Sequence, residues 1–342
     1  MRSRPFVIPI FVPNMGCPHR CVFCDQTAIT GHKVPAPSRQ HVRERITQLL
    51  GFKGGHRGAT EVAFYGGNFL GLEASLRESL LEEAQVFIEN GQVDSIRFST
   101  RPDTVTTASL KQVAGYAVRT IELGAQSMND AVLALSRRGH TAADTRSAVR
   151  LLKAHGLRVG LQIMPGLPGD TPRSILETGR QVAELKPDFA RIYPTVVVKN
   201  TVLERTYHSG RFTPLSLADA VELSKRLYLL LTGCGIRVIR MGLHASGSLQ
   251  EEGNVVAGPF HPAFGHLVHC AVFLDLATQA FESEQGLPKR VALKVYPSDL
   301  SKLVGLKREN IRRLTRRFHL DTLQVLPDSA VPRNTVRVMS LS

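Results

Sequence analysis

The 342-residue sequence has few cysteines, few aromatic residues and few acidic residues relative to basic ones. Its five cysteines are too few for the disulfide framework of a small secreted protein. Its apolar segments are short: Pro9 and Pro13 interrupt the N-terminal one, and no later window reaches the roughly 18 apolar residues that a membrane span requires. We therefore expect a globular protein with no membrane span and a cytoplasmic location.

The shortage of acidic residues leaves a large positive charge. The 43 Lys and Arg residues exceed the 29 Asp and Glu residues by 14. Hydrophobic residues make up 43% of the chain, which is enough for a real core and excludes a disordered or fibrous protein. The charge excess predicts attraction to polyanions such as RNA, but it does not predict a fold.

Three of the five cysteines lie within eight residues, as Cys17, Cys21 and Cys24. Thiolates held on one tight loop can converge on a soft metal centre. Two centres fit three thiolates: a zinc ion completed by His19, or an iron–sulfur cluster with one iron free for another ligand. Free buried thiols are the third interpretation, and we also expect core thiols at the isolated Cys234 and Cys270.

Strand-like and helix-like segments alternate after a linker around Pro35 and Pro37. Apolar runs predict strands at Phe6–Val12, Glu61–Tyr65, Ser95–Ser99, Thr120–Leu123, Arg158–Ile163, Phe189–Tyr193 and Arg237–Arg240. Amphipathic patterns predict helices at Leu72–Glu89, Thr141–His155, Arg173–Leu185 and Leu217–Leu231. The alternation predicts a parallel sheet with right-handed crossovers, either open or closed into a barrel. In both folds the functional residues lie at the carboxyl ends of the strands.

Polar and glycine-rich segments follow six of these strands directly. They are the cysteine loop, Gly66-Gly67-Asn68, Thr100-Arg101-Pro102-Asp103, Gly124-Ala125-Gln126-Ser127, Met164–Gly169 and Tyr193-Pro194-Thr195. Each segment alone is more typical of a turn than of a ligand site. Their recurrence on one rim of the sheet predicts a single functional site there.

The C-x3-C-x2-C spacing, with Phe23 directly before the third cysteine, resembles the signature of the radical S-adenosylmethionine (SAM) superfamily. The resemblance covers roughly residues 6–265. It implies an α/β fold, a partial (β/α)6 TIM-type barrel, in which the three cysteines hold a [4Fe-4S] cluster and SAM binds the unique iron. An electron from a donor such as flavodoxin or ferredoxin would then split SAM to a 5′-deoxyadenosyl radical.

Within that superfamily, the chain resembles the radical SAM domain of the Elongator catalytic subunit, an enzyme of tRNA wobble-uridine modification. The shared segments occur in the same order, at Ile121–Ser127, Arg138–Thr141, Met164–Gly169, Ile192–Thr195 and Gly210–Phe212. Oxygen-independent coproporphyrinogen oxidases share part of this pattern but lack the Tyr-Pro-Thr and Gly-Arg-Phe elements. The sequence shows neither the acetyltransferase domain nor the basic N-terminal extension of the Elongator subunit, so we do not transfer acetyl-CoA-dependent carboxymethylation to it.

The resemblance implies nine residues around SAM. They are Phe23, Gly66, Gly67, Asn68, Ser99, Glu122, Gln126, Arg138 and Gln162. Gly66 and Gly67, followed by Asn68, would lie beside the amino group of SAM. Gln126 and Arg138 would hold its methionyl end, where a planar guanidinium suits a carboxylate.

The remaining candidates carry less direct expectations. Gln162 would contact the ribose, and Ser99 stands where the family usually has glutamate. Glu122 is a candidate because an unpaired buried carboxylate is costly. Tyr193 and Lys199 would face the substrate side of the barrel without an assigned role.

The composition changes at residue 287. Residues 287–342 carry 12 Lys and Arg residues against four acidic ones, which is 8 of the 14 excess charges. The pattern predicts, in order, strand Val291–Tyr296, helix Ser298–Val304, loop Gly305–Arg308, helix Glu309–Phe318, and strands Thr322–Leu326 and Val336–Met339. This order resembles a KH-type RNA-binding module, although Arg308 stands at the second loop glycine. The RNA contacts would be Lys302, Lys307, Arg308, Arg312, Arg313 and Arg316.

Two other interpretations of this segment are a helix-turn-helix and a solvated basic helix that caps the barrel. The predicted organisation is therefore a barrel over residues 1–265, a connecting helix over 266–286 and a basic module over 287–342. Three functions follow: a radical SAM enzyme that modifies RNA, with tRNA as partner; a radical SAM enzyme acting on a small molecule such as a tetrapyrrole; or a non-catalytic metal-containing nucleic-acid-binding protein.

Overall fold

Seven parallel strands form one sheet that curls into a half-barrel. The computed structural model describes residues 5–12, 15–18, 20–25, 36–54, 58–243, 253–284, 286 and 288–341. Pro13, His19, Pro35 and the expected first residue of the basic module, 287, lie outside the described residues. The expected partial barrel is confirmed, with seven strands in the sheet rather than six.

The strands of the half-barrel lie side by side in chain order. They are β1 (Phe6–Val12), β2 (Thr60–Gly66), β3 (Ser95–Thr100), β4 (Val118–Gln126), β5 (Arg158–Ile163), β6 (Phe189–Ile192) and, after the short β7 (Val197–Val198), β8 (Arg237–Met241). Strand β7 pairs instead with β9 (Val255–Ala257), in an antiparallel pair.

Helices connect the strands. They are α1 (Arg39–Gly51), α2 (Ala74–Glu89), α3 (Thr107–Lys111), α4 (Asp130–Leu135), α5 (Ala142–Ala154), α6 (Pro172–Glu184), α7 (Val202–His208) and α8 (Leu217–Gly233). Capping boxes define the starts of α5 and α6, where Thr141 pairs with Asp144 and Thr171 with Ser174. The exposed Cys234 follows α8 directly, so the core position expected for this thiol is wrong, whereas Cys270 is buried as expected.

The two faces of the sheet have different chemistry. Val62 and Phe64 of β2 are buried in the core with the apolar residues of the helices, and Phe98 of β3 lies in the same core. The alternate residues, such as Arg97 of β3 and Glu122 of β4, line a cavity on the inner side of the sheet. Because side chains alternate across a strand, each strand contributes to both the core and the cavity wall.

Helix α9 (Phe264–Glu282) joins two hydrophobic cores. Its first part contributes Phe264 and Val268 to the core of the barrel, and its second part contributes Phe273 and Phe281 to a separate core. By length and composition it is the one helix among the described residues that could cross a membrane. Five of its apolar residues are buried in the two cores, namely Phe264, Val268, Phe273, Ala277 and Phe281.

The second core belongs to the C-terminal module. Its sheet has β10 (Arg290–Val295) in the centre, parallel to β11 (Thr322–Pro327) and antiparallel to β12 (Arg337–Ser340). Helices α10 (Leu300–Val304) and α11 (Glu309–Arg317) lie between the first two strands in the chain. The predicted order of strands and helices is thus observed, and each predicted boundary lies within two residues of the observed one.

Candidate active site

One large cavity of about 1170 Å³ runs along the inner side of the half-barrel, from the first residues of β5, β6 and β8 to the loops at the carboxyl ends of the strands. The three clustered cysteines line it. Eight of the nine residues expected around SAM also line it, namely Phe23, Gly66, Gly67, Ser99, Glu122, Gln126, Arg138 and Gln162. The loops after successive parallel strands therefore form one site, as the chain order predicted.

The cysteine loop is held against the segment that follows β4. The backbone N–H of Cys24 donates to the carbonyl of Cys21 at 3.1 Å, which closes a tight turn. The buried Arg138 donates through Nη1 to Cys21 Sγ at 3.0 Å and through Nη2 to the carbonyl of Gly124 at 2.6 Å. Arg138 thus places a positive charge at the Cys21 sulfur, and hydrogen bonds to sulfur help to set the potential of an iron–sulfur cluster.

Two of the three thiols are harder to deprotonate than a free cysteine, and a bound metal centre would favour their ionisation. Burial, together with the charges of Cys21 and Cys17, raises the pKa of Cys24 to about 12. Burial also raises the pKa of Cys17, against the opposing effect of Arg101 and Arg138. Three adjacent thiolates need a positive centre to ionise together, since metal ligation deprotonates a thiol outright.

The donor set of three thiols fits an iron–sulfur cluster. In the described part of the chain, no three His, Cys, Asp or Glu side chains are arranged to hold a single metal ion, and His19, the fourth ligand of the zinc alternative, lies outside that part. Zinc needs its thiolates about 2.3 Å from one point, whereas a cluster spreads its ligands over separate irons.

Two glycines bring the segment after β2 against the cysteine loop. Gly66 has a φ of +112°, and a Cβ there would lie 2.7 Å from the carbonyl oxygen of Val12. A Cβ on Gly67 would collide with the backbone of Met15. Glycine is required at both positions because any side chain would push the two loops apart.

Two buried polar atoms beside the cysteines have no partner in the described structure. They are Gln126 Oε1 and Arg138 Nε, and both residues line the cavity. A Cβ on Gly124 would lie 2.8 Å from Gln126 Nε2, so this glycine makes room for both side chains. An acceptor and a donor left unpaired in a buried wall are where a bound polar ligand is expected to pair.

Asn68 requires a correction, because its side chain is buried and does not line the cavity. Its Nδ2 donates to the carbonyl of Gly16 at 2.8 Å. Its Oδ1 accepts from Thr100 Oγ1 at 2.6 Å and from the backbone N–H of Arg101 at 3.0 Å. The side chain of Asn68 therefore joins the cysteine loop to the segments at the ends of β2 and β3.

Glu122 lines the cavity, and its buried carboxylate is paired. It accepts from Arg97 Nη2 at 2.8 Å and from Arg191 Nε at 2.6 Å. Arg97 also binds Glu61 at 2.7 Å, and Tyr65 donates its hydroxyl to Glu122 at 3.1 Å. This network makes Glu122 part of a rigid cavity wall.

Sequence reasoning missed Arg101 as a site residue. Arg101 is buried, lines the cavity, and donates Nε and Nη2 to the carboxylate of Asp103, each at 2.9 Å. The indication in the sequence was that Arg101 lies in the polar segment directly after β3. Arg191 and Tyr65 were also missed, and only the alternation of inward and outward positions could have indicated them.

His140 supplies no charge to the site at neutral pH. Burial, followed by the effect of Arg138, lowers the pKa of His140 to about 4. Its Nε2 lies 3.2 Å from the carbonyl of Ala125. The positive charge near the cysteines therefore comes from arginines such as Arg138.

The expected RNA-contacting residues of the C-terminal module are mostly exposed. Those that reach solvent are Lys307, Arg308, Arg312, Arg313 and Arg316. Lys302 differs from these five, since its Nζ binds Asp299 at 2.7 Å and lies over the ring of Phe273.

Known proteins resemble this chain in both sequence and fold. It is 28% identical to a tRNA uridine(34) acetyltransferase of Dehalococcoides mccartyi, over 60% of this chain and 52% of that protein. It is 27% identical to human Elongator complex protein 3, over 60% of this chain and 40% of that protein. The chain thus spans about half the length of these curated relatives.

A solved structure of Methanocaldococcus infernus Elp3 with an N-terminal deletion shares the fold. Its TM-score is 0.63 at 23% identity, and the match covers 79% of this chain and 63% of that one.

The family models that match this chain cover residues of the site. The radical SAM superfamily model matches residues 11–182, which include the cysteine loop, Gln126 and Arg138, and the radical SAM C-terminal domain model matches residues 187–272. The first match alone covers half of the chain. The matched region contains the three clustered cysteines, the arginine bound to Cys21 and the unpaired polar atoms beside them. The chain therefore belongs to the radical SAM superfamily and is an enzyme whose cofactors are a [4Fe-4S] cluster and SAM.

Proposed function

We propose that this protein cleaves SAM reductively and uses the resulting radical to modify tRNA. The single observation that carries the chemistry is the rim of the cavity, where the cysteine loop, the unpaired Gln126 Oε1 and the unpaired Arg138 Nε meet. Once bound, the cluster and SAM supply a 5′-deoxyadenosyl radical on one-electron reduction.

The chain's own residues bind and orient these groups. Cys17, Cys21 and Cys24 hold the cluster. Arg138 and Gln126 hold the methionyl end of SAM, because a guanidinium and an amide can pair with its carboxylate and amino groups. The Gly66-Gly67 backbone lies beside that end, and Gln162 contacts the ribose.

Apolar residues close the site against water. Phe23 and Tyr193 pack against the buried cluster of Val132, Met164 and Leu167 beside the cavity. Excluding water protects a reactive radical from side reactions. Ser99 lines the same wall and leaves room where a larger side chain would reach toward SAM.

Two features support tRNA as the substrate. The matched relatives include a tRNA uridine(34) acetyltransferase. The C-terminal module carries a cluster of exposed arginines and lysines, which would bind the phosphate backbone as in a KH-like module. On this proposal residues 1–265 perform the chemistry, 266–286 connect, and 287–342 position a cytoplasmic RNA, with flavodoxin or ferredoxin as electron donor.

The test is formation of 5′-deoxyadenosine by the full-length protein after anaerobic reconstitution with iron and sulfide. Dithionite and SAM are supplied, with and without bulk tRNA. We expect product in both cases and stimulation by tRNA. Stimulation by a tetrapyrrole instead of tRNA would contradict the RNA substrate, and no product from an intact cluster would contradict the radical chemistry.

A pair of cysteine variants controls this experiment. We expect Cys21→Ala to lose cluster iron and all product, because three thiolates are the minimum ligand set. Cys234→Ala removes an exposed thiol far from the loop along the chain and is expected to retain both. Equal iron content in the two variants would contradict the cluster assignment.

A further inference from the structure

Two arginines on the inner wall of the cavity differ in how their charges are neutralised. Arg191 of β6 and Arg240 of β8 are direct neighbours in the strand register, and both line the cavity. Arg191 donates Nε and Nη2 to the Glu122 carboxylate, at 2.6 and 3.0 Å. Within the described part of the chain, Arg240 has only one long hydrogen bond, from Nε to the carbonyl of Gly242 at 3.4 Å. Arg240 thus contributes an uncompensated positive charge and N–H donors to the cavity.

The phenol of Tyr193, directly after β6, adds a second donor. Its oxygen accepts a hydrogen bond from Arg191 Nη1 at 3.1 Å, which leaves its own O–H to donate. The phenol of Tyr65 differs, because its O–H already donates to Glu122 and its oxygen accepts from Arg191 Nη2. Arg191 and Glu122 act here as positioning residues for the hydroxyl of Tyr193.

The described cavity wall has no spare carboxylate to satisfy these donors. Its two carboxylates, Glu61 and Glu122, are both bound to arginines. The wall formed by β6 and β8 therefore combines donors with positive charge. A group recognised there must carry negative charge and acceptor oxygens.

We propose that Arg240 and Tyr193 form a subsite for a phosphodiester of the RNA substrate beside the reacting nucleotide. This inference rests on the RNA-modifying function proposed above. A phosphodiester is assigned rather than a carboxylate because the exposed arginines of the C-terminal module suit a polyanion. The cavity would then bind the RNA at the reacting nucleotide, and the C-terminal module would bind the same RNA at a distance from it.

The test is the KM for tRNA in 5′-deoxyadenosine formation by the full-length reconstituted enzyme. Arg240→Gln is expected to raise this KM about tenfold or more, because a charge-assisted contact to phosphate is lost. Arg240→Lys keeps the charge but not the planar fork, so it should recover part of the loss. Tyr193→Phe removes a single hydroxyl and is expected to raise the KM about threefold.

Arg226→Gln is the matched control, since it removes the same charge from an exposed position on α8 outside the cavity. It is expected to leave the KM unchanged. Cluster iron and the unfolding midpoint are measured for each variant. If Arg240→Gln fails to fold, the Arg240→Lys and Tyr193→Phe variants decide the question.

The outcomes separate this inference from the proposed function. If tRNA stimulates the wild-type enzyme but Arg240→Gln has the KM of Arg226→Gln, the subsite is wrong and the function stands. If tRNA does not stimulate the wild-type enzyme, both are wrong. If a carboxylated tetrapyrrole stimulates it instead, with a KM that Arg240→Gln raises, the phosphodiester assignment is overturned.

Discussion

The half-barrel and the C-terminal module use arginine in opposite ways. Arg97 and Arg138 of the barrel are buried, and each donates to a fixed partner on the cavity wall. Arg313 and Arg316 of α11 are exposed and have no ion-pair partner within the described residues. A buried guanidinium holds its hydrogen-bond partners in fixed positions, whereas the electric field of an exposed one extends over about 10 Å and is shortened by salt.

The difference follows from the cost of burying charge. A guanidinium inside a protein must be paired and hydrogen-bonded, or it destabilises the fold. Acidic residues occur at inward positions of the strands for this reason, at Glu61 and Glu122. On the surface of α11 water performs the same role, so the helix can keep its positive charge available.

Glu122→Gln is expected to have the largest effect on folding. It leaves Arg191 with a neutral partner inside the wall and Arg97 with Glu61 as its one remaining carboxylate among the described residues, and the free energy of unfolding should fall by about 3 to 5 kcal/mol. Glu309→Gln is the matched control, since it removes an exposed carboxylate that binds Arg312 at 2.6 Å, and its loss of stability should be much smaller because water solvates both groups. Denaturant unfolding of both variants measures the contrast, and equal losses would contradict it.

Asn68→Asp tests whether a neutral buried side chain organises the loops. The substitution replaces the amide donor to the Gly16 carbonyl by a carboxylate oxygen, so we expect a loss of about 1 to 3 kcal/mol and less cluster iron after reconstitution. Asn90→Asp, at the exposed end of α2, makes the same change without buried partners and should retain full iron. Normal iron in Asn68→Asp would mean that the joint between the loops is not needed.

The smallest effects are expected in the C-terminal module. Arg313→Gln combined with Arg316→Gln should weaken RNA binding and lower the slope of log K against log salt by about 2. Lys302→Gln removes a charge already paired with Asp299, so the slope should not change. Binding titrations at several salt concentrations give the slope for the double variant and for Lys302→Gln. An equal change of slope in both would contradict the distinction between paired and unpaired charges.

Local sequence patterns predicted much of the fold. All seven half-barrel strands were placed within three residues of their observed ends, because alternating and apolar runs are properties of neighbouring residues. The cysteine loop was recognisable for the same reason. Partners distant in the chain were not predictable: Arg138 lies 117 residues from Cys21, and Arg191 lies 126 residues from Tyr65.

Partners from other segments of the chain decide what two of the polar candidates do. Asn68 binds Thr100 and Glu122 binds Arg191, and no local pattern indicates either pair. Cys234 lies in an apolar sequence context, yet the chain turns outward at the end of α8 and exposes it.

By itself, the sequence determined the order of strands and helices, the cysteine loop and the excess of positive charge, since spacing and composition need no folded structure. Only the tertiary structure decided which charges are neutralised. Pairing depends on distances across the sheet, and the register of β6 with β8 brings Arg191 beside Arg240 while Glu122 binds only the first. Whether an inward arginine belongs to the wall or is available to a ligand is therefore settled by its neighbours in space rather than in the chain.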